Sequence, residues 1–438
     1  MNVNKEAHVG KICTLEPWDC PTHDYQASHL LRVGDRVFFS TAQRLTDREG
    51  MCNVYPMLYE KRGDEGWKLV WSDENAYQMD AGHLLYPGND RLVMTLNPPK
   101  ARYPKEQRTF LVPCTPVAYL FDISDGVKLI DIREIPWDKP DYPFRSHSYR
   151  SSCVDIVNGN LFFTNIHYPE EKHVYALTNA GLQPVRAGAL EFPERGCYHN
   201  IAMKNGELYL FAMQDIVEPN EEWYRYKRQR YDENNMGFDY VFRTVYLNYS
   251  PDLTKEELRP SVEICSMADT CGTIDNLDCR YAANGDMVFM AHERNVSGEY
   301  IRDRFFPGVP MVSELCLYRL FGGEVKERVV IDRAEEGGEW NLSYNGFIHT
   351  AANGELYFVW ARVKPAENGL SRMAFFIKKI DEPRQKPYKI LERTGKFSYR
   401  VFGNKANHGA QADDRVEIYW TEGELDCMYA CFDLHDIG

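Results

Sequence analysis

Two short stretches of this chain bring together the residue types that acid–base chemistry on an acidic sugar requires. They read Arg145-Ser-His147-Ser-Tyr149-Arg150 and Arg195-Gly-Cys-Tyr198-His199-Asn200. β-Elimination at a uronic acid needs a cation on the sugar carboxylate, a base for the proton at C5 and an acid for the departing O4. Arg150 is the expected carboxylate clamp, because a guanidinium is permanently charged and binds carboxylates as a fork. His199 or His147 is the expected base, since imidazole titrates near neutrality. Tyr198 or Tyr149 is the expected proton donor; packing between repeats is the competing role for both tyrosines.

Such groups act together only if a scaffold brings them together, and the strand pattern supplies one. Long helical periodicity is nearly absent, while short alternating strands separated by Asn-Gly, Gly-Asp and Asp-Gly turns dominate. One unit recurs, a Tyr with a polar residue, a short run, a turn pair and an apolar strand. Its copies start at Tyr25, Tyr77, Tyr149, Tyr198, Asp275, Tyr344 and Tyr399, at intervals of 52, 72, 49, 77, 69 and 55 residues. Each interval holds about four strands, which predicts an all-β, seven-bladed β-propeller over residues 1–438 as a single domain. The last copy is short by one strand, so a strand near Val9–Leu15 is expected to complete its blade. A pair of stacked sandwiches is the alternative, but it leaves the repeated Tyr-polar start unexplained.

The innermost strand of each blade should run from the repeated Tyr to the turn. Five of the twelve histidines fall in those windows: His29, His83, His199, His349 and His408. Four of these, His29, His83, His349 and His408, come from consecutive blades around the closure. They are candidates to hold one divalent metal ion with a neighbouring Gln. Separately hydrogen-bonded channel histidines are the other reading. The polar residues at the starts of other copies, Asn276, Asn345 and Arg400, are expected substrate contacts.

Excursions at 97–113, 135–147, 217–241 and 299–311 interrupt the blades and read as functional loops. Two mix cations with aromatics: Lys100, Arg102, Lys105 and Arg108 with Tyr103, and Arg225, Lys227, Arg228 and Arg230 with Trp223, Tyr224 and Tyr226. Trp223 and Arg225 are therefore further candidates for an acidic saccharide; a solvated, salt-bridged loop is the bland alternative. A glycoside hydrolase would need two facing carboxylates. Asp24, Asp80, Asp155, Asp275 and Asp278 lie near inner strands, with no pair singled out by spacing. A non-catalytic carbohydrate-binding or scaffold propeller is a third possibility.

The strands NGELYLFAM and NGNLFFTNIHY, with Tyr198-His199-Asn200 and His147-Ser-Tyr149, resemble the propellers grouped as BNR-4 repeat proteins, which include ulvan lyases. That resemblance implies a lyase using His, Tyr and Arg from neighbouring blades. The ring of His29, His83, His349 and His408 with Gln26, Gln78 or Gln411 is similar in kind to cytosolic oligogalacturonate lyases, which implies a metal held by His and Gln.

Composition bounds the partners. The chain has 438 residues, a net charge of −14 and 44% apolar residues, which excludes disorder and argues against nucleic acid or anionic membranes. The N-terminal MNVNKEAHVG has no apolar core of a signal peptide, so a cytoplasmic location is expected. Twelve cysteines occur as scattered singles without a CxxC pair, which predicts buried thiols rather than a disulfide framework.

Overall fold

The computed structural model describes residues 8–15, 29–45, 52–103, 112–139, 141–145, 150–234, 240–382, 385–423 and 425–437. Seven four-stranded antiparallel sheets stand around a central axis as the blades of a β-propeller. Their first strands are Leu30–Val33, His83–Gly88, Ser151–Val154, Gly196–Lys204, Thr273–Tyr281, Asn341–Thr350 and Phe397–Gly403. Successive first strands touch one another around the axis. The apolar strand of each repeat is the second strand of its blade. In blade 7 the outermost strand is His8–Thr14, antiparallel to Asp426–Asp433, so the N-terminal strand closes the ring.

The pattern of apolar residues follows from this arrangement. A blade buries both faces of its middle strands against its two neighbours, so Leu161–Ile166 and His173–Thr178 are buried at every position. The outermost Lys128–Glu134 is half-exposed to exposed throughout. Each of the seven interfaces between blades carries its own apolar cluster. Between blades 4 and 5, Phe211 stacks on Phe289 at 4.3 Å with the rings 7° apart. Such a pair contributes about 0.5–1.5 kcal/mol beyond its buried area.

Connections from second to third strands, and from blade to blade, emerge on one face of an antiparallel propeller. All four long excursions belong to these classes, so they share that face. The stretch 217–241, expected as a loop, contains helix α1, Glu221–Asn234. Asn220 Oδ1 caps it by accepting the amides of Glu222 and Trp223, both at 3.1 Å, and the acidic first turn suits the helix dipole. Helix α2, Glu299–Phe305, packs against it through Trp223, Tyr226, Tyr300, Phe305 and Phe306.

The opposite face is closed by the connection between the first two strands of blade 7. Its 3-10 turn Ala406–His408 reaches the first strands of blades 2, 3 and 4. Asn407 Nδ2 donates to the carbonyls of Ile201 at 2.9 Å and Cys279 at 2.7 Å. Gly409, at φ 90°, lies so close to blade 2 that an added Cβ would stand 1.9 Å from the Tyr86 carbonyl oxygen. This plug ties blades 2, 4 and 5 to blade 7. No helix among the described residues is long and apolar enough to cross a membrane.

Candidate active site

On the helix-bearing face, blades 3 and 4 open next to each other. Arg145 lies in the short strand Phe144–Arg145, held by Pro113–Cys114, and Arg195 immediately precedes the first strand of blade 4. Their guanidinium groups meet on one carboxylate. Arg145 Nη1 pairs with Glu171 Oε1, and Arg195 Nη1 donates to Glu171 Oε2 at 3.0 Å. Arg195 pairs through Nη2 with Asp215 and lies 5.7 Å over the ring of Tyr240. Side-chain exposure is 13% for Arg145, 16% for Arg195 and 35% for Glu171, so the cluster is reachable but screened less than a surface pair.

Tyr198 stands three residues beyond Arg195. It takes φ 51°, and the register with Glu207–Gln214 slips between Cys197 and Asn200. This bulge re-aims the tyrosine, which is half-buried with its ring 6.0 Å from Phe242. Asn276 and Asn200 brace the bulge. Asn276 Nδ2 donates to the carbonyls of Tyr198 at 3.0 Å and Phe211 at 2.9 Å, while Asn200 Nδ2 donates to Asn276 Oδ1 at 2.7 Å. Asn276, expected to touch substrate, thus supports the backbone of Tyr198.

The same bulge carries His199 into the space between blades 3 and 4. Its Nδ1 is 2.9 Å from Thr164 Oγ1, and its ring stacks on Phe192 at 5.8 Å and lies 5.4 Å from His173. His199 has no exposed surface, so the structure places it behind the open face. Arg150 is also buried, with Nη2 donating to the Ala81 carbonyl of blade 2. His147 and Tyr149 lie outside the described residues.

The remaining expected contacts are dispersed. Asn345 is buried, with Nδ2 3.4 Å from Ser343 Oγ. The side chain of Arg400 is outside the described set. Arg225 is exposed on α1 and pairs with Glu221 one turn away, while Trp223 packs on Phe306 under Arg243. The basic stretch of α1 is largely salt-bridged, with Lys227 Nζ 2.8 Å from the buried Glu218 and Arg228 3.6 Å from Asp232. Burial pushes the Glu218 carboxyl up, but hydrogen bonds from Arg243 and Lys227 outweigh it and hold it below the usual range. In the other cluster, Lys100 donates to the Asp141 carbonyl and the Tyr103 amide to Tyr77 Oη at 3.0 Å; Lys105 and Arg108 are outside the described residues.

Three of the carboxylates considered for hydrolysis are engaged by other groups. Asp155 accepts the amides of Val157, Asn158, Asn205 and Gly206. Asp278 takes Arg280 Nη1 and the Ile348 amide, both at 2.8 Å, and Asp275 faces His292 Nδ1 at 3.0 Å. Asp80 is buried, and Asp24 lies outside the described residues. Burial pushes the thiols of Cys153 and Cys279 up, which keeps them protonated and poor nucleophiles. Cys114, Cys153, Cys271, Cys279, Cys316 and Cys427 are buried thiols outside any disulfide.

Of the four histidines proposed as metal ligands, His29, His83 and His408 lie near one another, while His349 is engaged elsewhere. His29 and His83 stand edge to face with ring centroids 5.9 Å apart. His408 sits in the plug, where burial lowers its pKa well below the ordinary value, helped by the charges of Lys405 and Arg280. His349 Nε2 instead faces the Asp413 carbonyl at 2.7 Å. Among the described residues, potential ligand atoms converge within 4.8 Å at Glu293, Glu314 and Cys316. There Arg328 Nη2 already supplies a cation, 2.6 Å from Glu293, 2.8 Å from Glu314 and 3.1 Å from Cys316 Sγ.

Glu171, Asp215, Tyr240 and His167 were not singled out by the sequence. His167 packs under Tyr142 at 4.3 Å and Phe144 at 4.9 Å, and burial lowers its pKa, so it is neutral at pH 7. The available signal was His-Tyr-Pro-Glu-Glu directly after the strand Leu161–Ile166, a loop whose position beside Arg145 depends on blade packing.

No protein-family model and no curated protein matches the chain. Solved structures share its fold. An ulvan lyase, a polysaccharide lyase bound to GlcA(1-4)Rha3S, superimposes with a TM-score of 0.57 at 9% identity, covering 98% of each chain. A second ulvan lyase structure gives 0.52 at 8% identity over 98% of this chain and 97% of the other. A Mycobacterium tuberculosis puromycin-hydrolyzing peptidase gives 0.51 at 8% identity, over 96% of this chain and 54% of the peptidase. At these identities the likeness is one of fold: a propeller architecture that the chain shares with polysaccharide lyases along its whole length.

Proposed function

We propose that this chain is a carbohydrate-active enzyme that cleaves uronate-containing oligosaccharides by β-elimination where blades 3 and 4 open. The observation that carries the reading is the convergence of Arg145 and Arg195 on a single carboxylate, within three residues of Tyr198. A substrate carboxylate bound there would be neutralised, which acidifies the C5 proton. The base takes that proton, the C4–C5 double bond forms as the C4–O4 bond breaks, and Tyr198 gives its proton to O4. His147, two residues after Arg145, is assigned as base; His199 and Arg150 support the site from behind. The fold likeness to a lyase whose structure holds a glucuronate-containing ligand supports an acidic saccharide. No step is assigned to a metal ion.

Incubation with uronyl oligosaccharides should raise ultraviolet absorbance from a 4,5-unsaturated product, and the gain should disappear in Arg195→Ala and His147→Ala. A hydrolase is the second reading, favoured by Glu171 and Asp215 both standing at Arg195. Reducing ends released without the chromophore would select it. Saccharide binding without any turnover would select a non-catalytic propeller.

A further inference from the structure

Far from the arginine pair, the innermost strand of blade 5 carries a guanidinium that the protein satisfies on one side only. Arg280 is buried, as is Asp278 two residues earlier in the same strand. Arg280 Nη1 donates to Asp278 Oδ1 at 2.8 Å and to the Cys279 carbonyl at 2.7 Å. The other carboxylate oxygen, Asp278 Oδ2, accepts the Ile348 amide of blade 6 at 2.8 Å. Arg280 Nε and Nη2 form the remaining edge of the fork, and both are buried with no acceptor among the described residues. Leaving a buried charged donor unmet is costlier than leaving a neutral one.

The plug brings more positive charge and further N–H groups to the same place. Asn407 donates to the Cys279 carbonyl at 2.7 Å, which sets the plug beside Asp278 and Arg280. Lys405 Nζ stands 3.9 Å from Asp278 Oδ1. His408 is buried and feels the charges of Lys405 and Arg280, and neither of its ring nitrogens has a partner among the described residues. A metal cation here would be repelled by both Lys405 and Arg280. An anion would be attracted by both and would accept the N–H groups that the protein leaves unmet.

We propose that Arg280, Lys405 and His408 hold a small inorganic anion, of halide size, between the innermost strand of blade 5 and the plug. The Nε and Nη2 hydrogens of a guanidinium are parallel, so one ion can accept both. His408 is neutral at pH 7 and keeps one N–H to donate. Burial decides the size of the ligand. The three side chains are no more than 3% exposed and the plug covers them, which leaves an organic acid no entry. An ion held there joins blade 5 to the segment that closes the ring, so it stabilises the folded chain by mass action. The site is independent of the uronate reading.

The test uses the full chain and two halides. Crystals soaked in sodium bromide should show an anomalous peak within hydrogen-bond reach of Arg280 Nε and Nη2. As chloride replaces fluoride at constant ionic strength, the thermal midpoint should rise along a saturating curve, by about 3 °C at a hundred times the dissociation constant. Nonspecific salt effects have the opposite sign, because fluoride is the more strongly excluded ion. Arg280→Met should lose both the peak and the rise, and Lys405→Met should weaken chloride binding at least tenfold. Bromide found only at the surface, or a wild-type midpoint that does not rise with chloride, overturns the proposal even if neither variant folds. A wild-type response in Arg280→Met overturns it, as does a stoichiometric divalent metal that is lost from His408→Ala.

Discussion

Arg195 Nη1 donates to Glu171 Oε2 at 3.0 Å, while the other oxygen of the same carboxylate is taken by Arg145. On the proposed reading, the protein's own glutamate occupies the position that a uronate would need, and substrate must displace or share it. Glu171→Gln is expected to lower KM severalfold for a uronyl oligosaccharide, because the amide competes less well for two guanidinium groups. Arg195→Ala is expected to cost about 2–3 kcal/mol of transition-state binding, roughly 30- to 150-fold in kcat/KM. Initial rates from unsaturated-product absorbance measure both, and a Glu171→Gln variant with raised KM would contradict the competition.

Tyr198 owes its position to a bulge rather than to packing alone, which separates its chemical role from its structural one. Tyr198→Phe keeps the ring against Phe242 and removes only the hydroxyl. Loss of a positioned proton donor is expected to lower kcat by roughly 10²–10⁴ with KM little changed. An unchanged kcat would remove Tyr198 from the reaction.

Acid should weaken the propeller through its buried imidazoles. Burial pulls His349 down to about 4, and burial also lowers His173 and His408 well below the ordinary value. At pH 7.5 these imidazoles are neutral in both folded and unfolded chains. As pH falls from 6.5 towards 4 the unfolded chain takes up the protons and the folded chain does not, so stability falls with pH. His349 alone accounts for about 3 kcal/mol by pH 4. Urea midpoints measured from pH 7.5 to 4.5 should decline, and His349→Gln should flatten the decline. A flat wild-type profile would contradict this burial.

The plug can be probed without touching the arginine face. Asn407→Ala strands the carbonyls of Ile201 and Cys279, and an unmet buried polar group costs about 1–3 kcal/mol. Gly409→Ala should be worse, because the added Cβ meets the Tyr86 carbonyl at 1.9 Å and the residue sits at φ 90°. Thermal midpoints should fall in the order wild type, Asn407→Ala, Gly409→Ala. Equal midpoints would mean that the plug does not hold the blades.

The seven blades, the order of their strands and the closing N-terminal strand were all legible in the sequence. Turn pairs such as Asn205-Gly206 and apolar strands such as Leu208–Met213 are local signals, and a repeated local signal needs no tertiary information. The arginines at the starts of blades 3 and 4 were legible as a chemical inventory for the same reason. Helix α1 was legible only in part: its Asn220 cap precedes Glu-Glu, but its apolar stripe is completed by aromatics of α2, more than sixty residues away. The bulge at Tyr198 decides that the tyrosine and not His199 faces outward, and a shift of one residue moves a side chain from one blade interface to the other. Glu171, in a loop before the strand His173–Thr178, becomes the partner of Arg145 and Arg195 only when two blades pack side by side. Periodicity along the chain therefore determined the scaffold. The pairing of charges across blades is a long-range contact with no local spacing to announce it, and only the tertiary structure decided it.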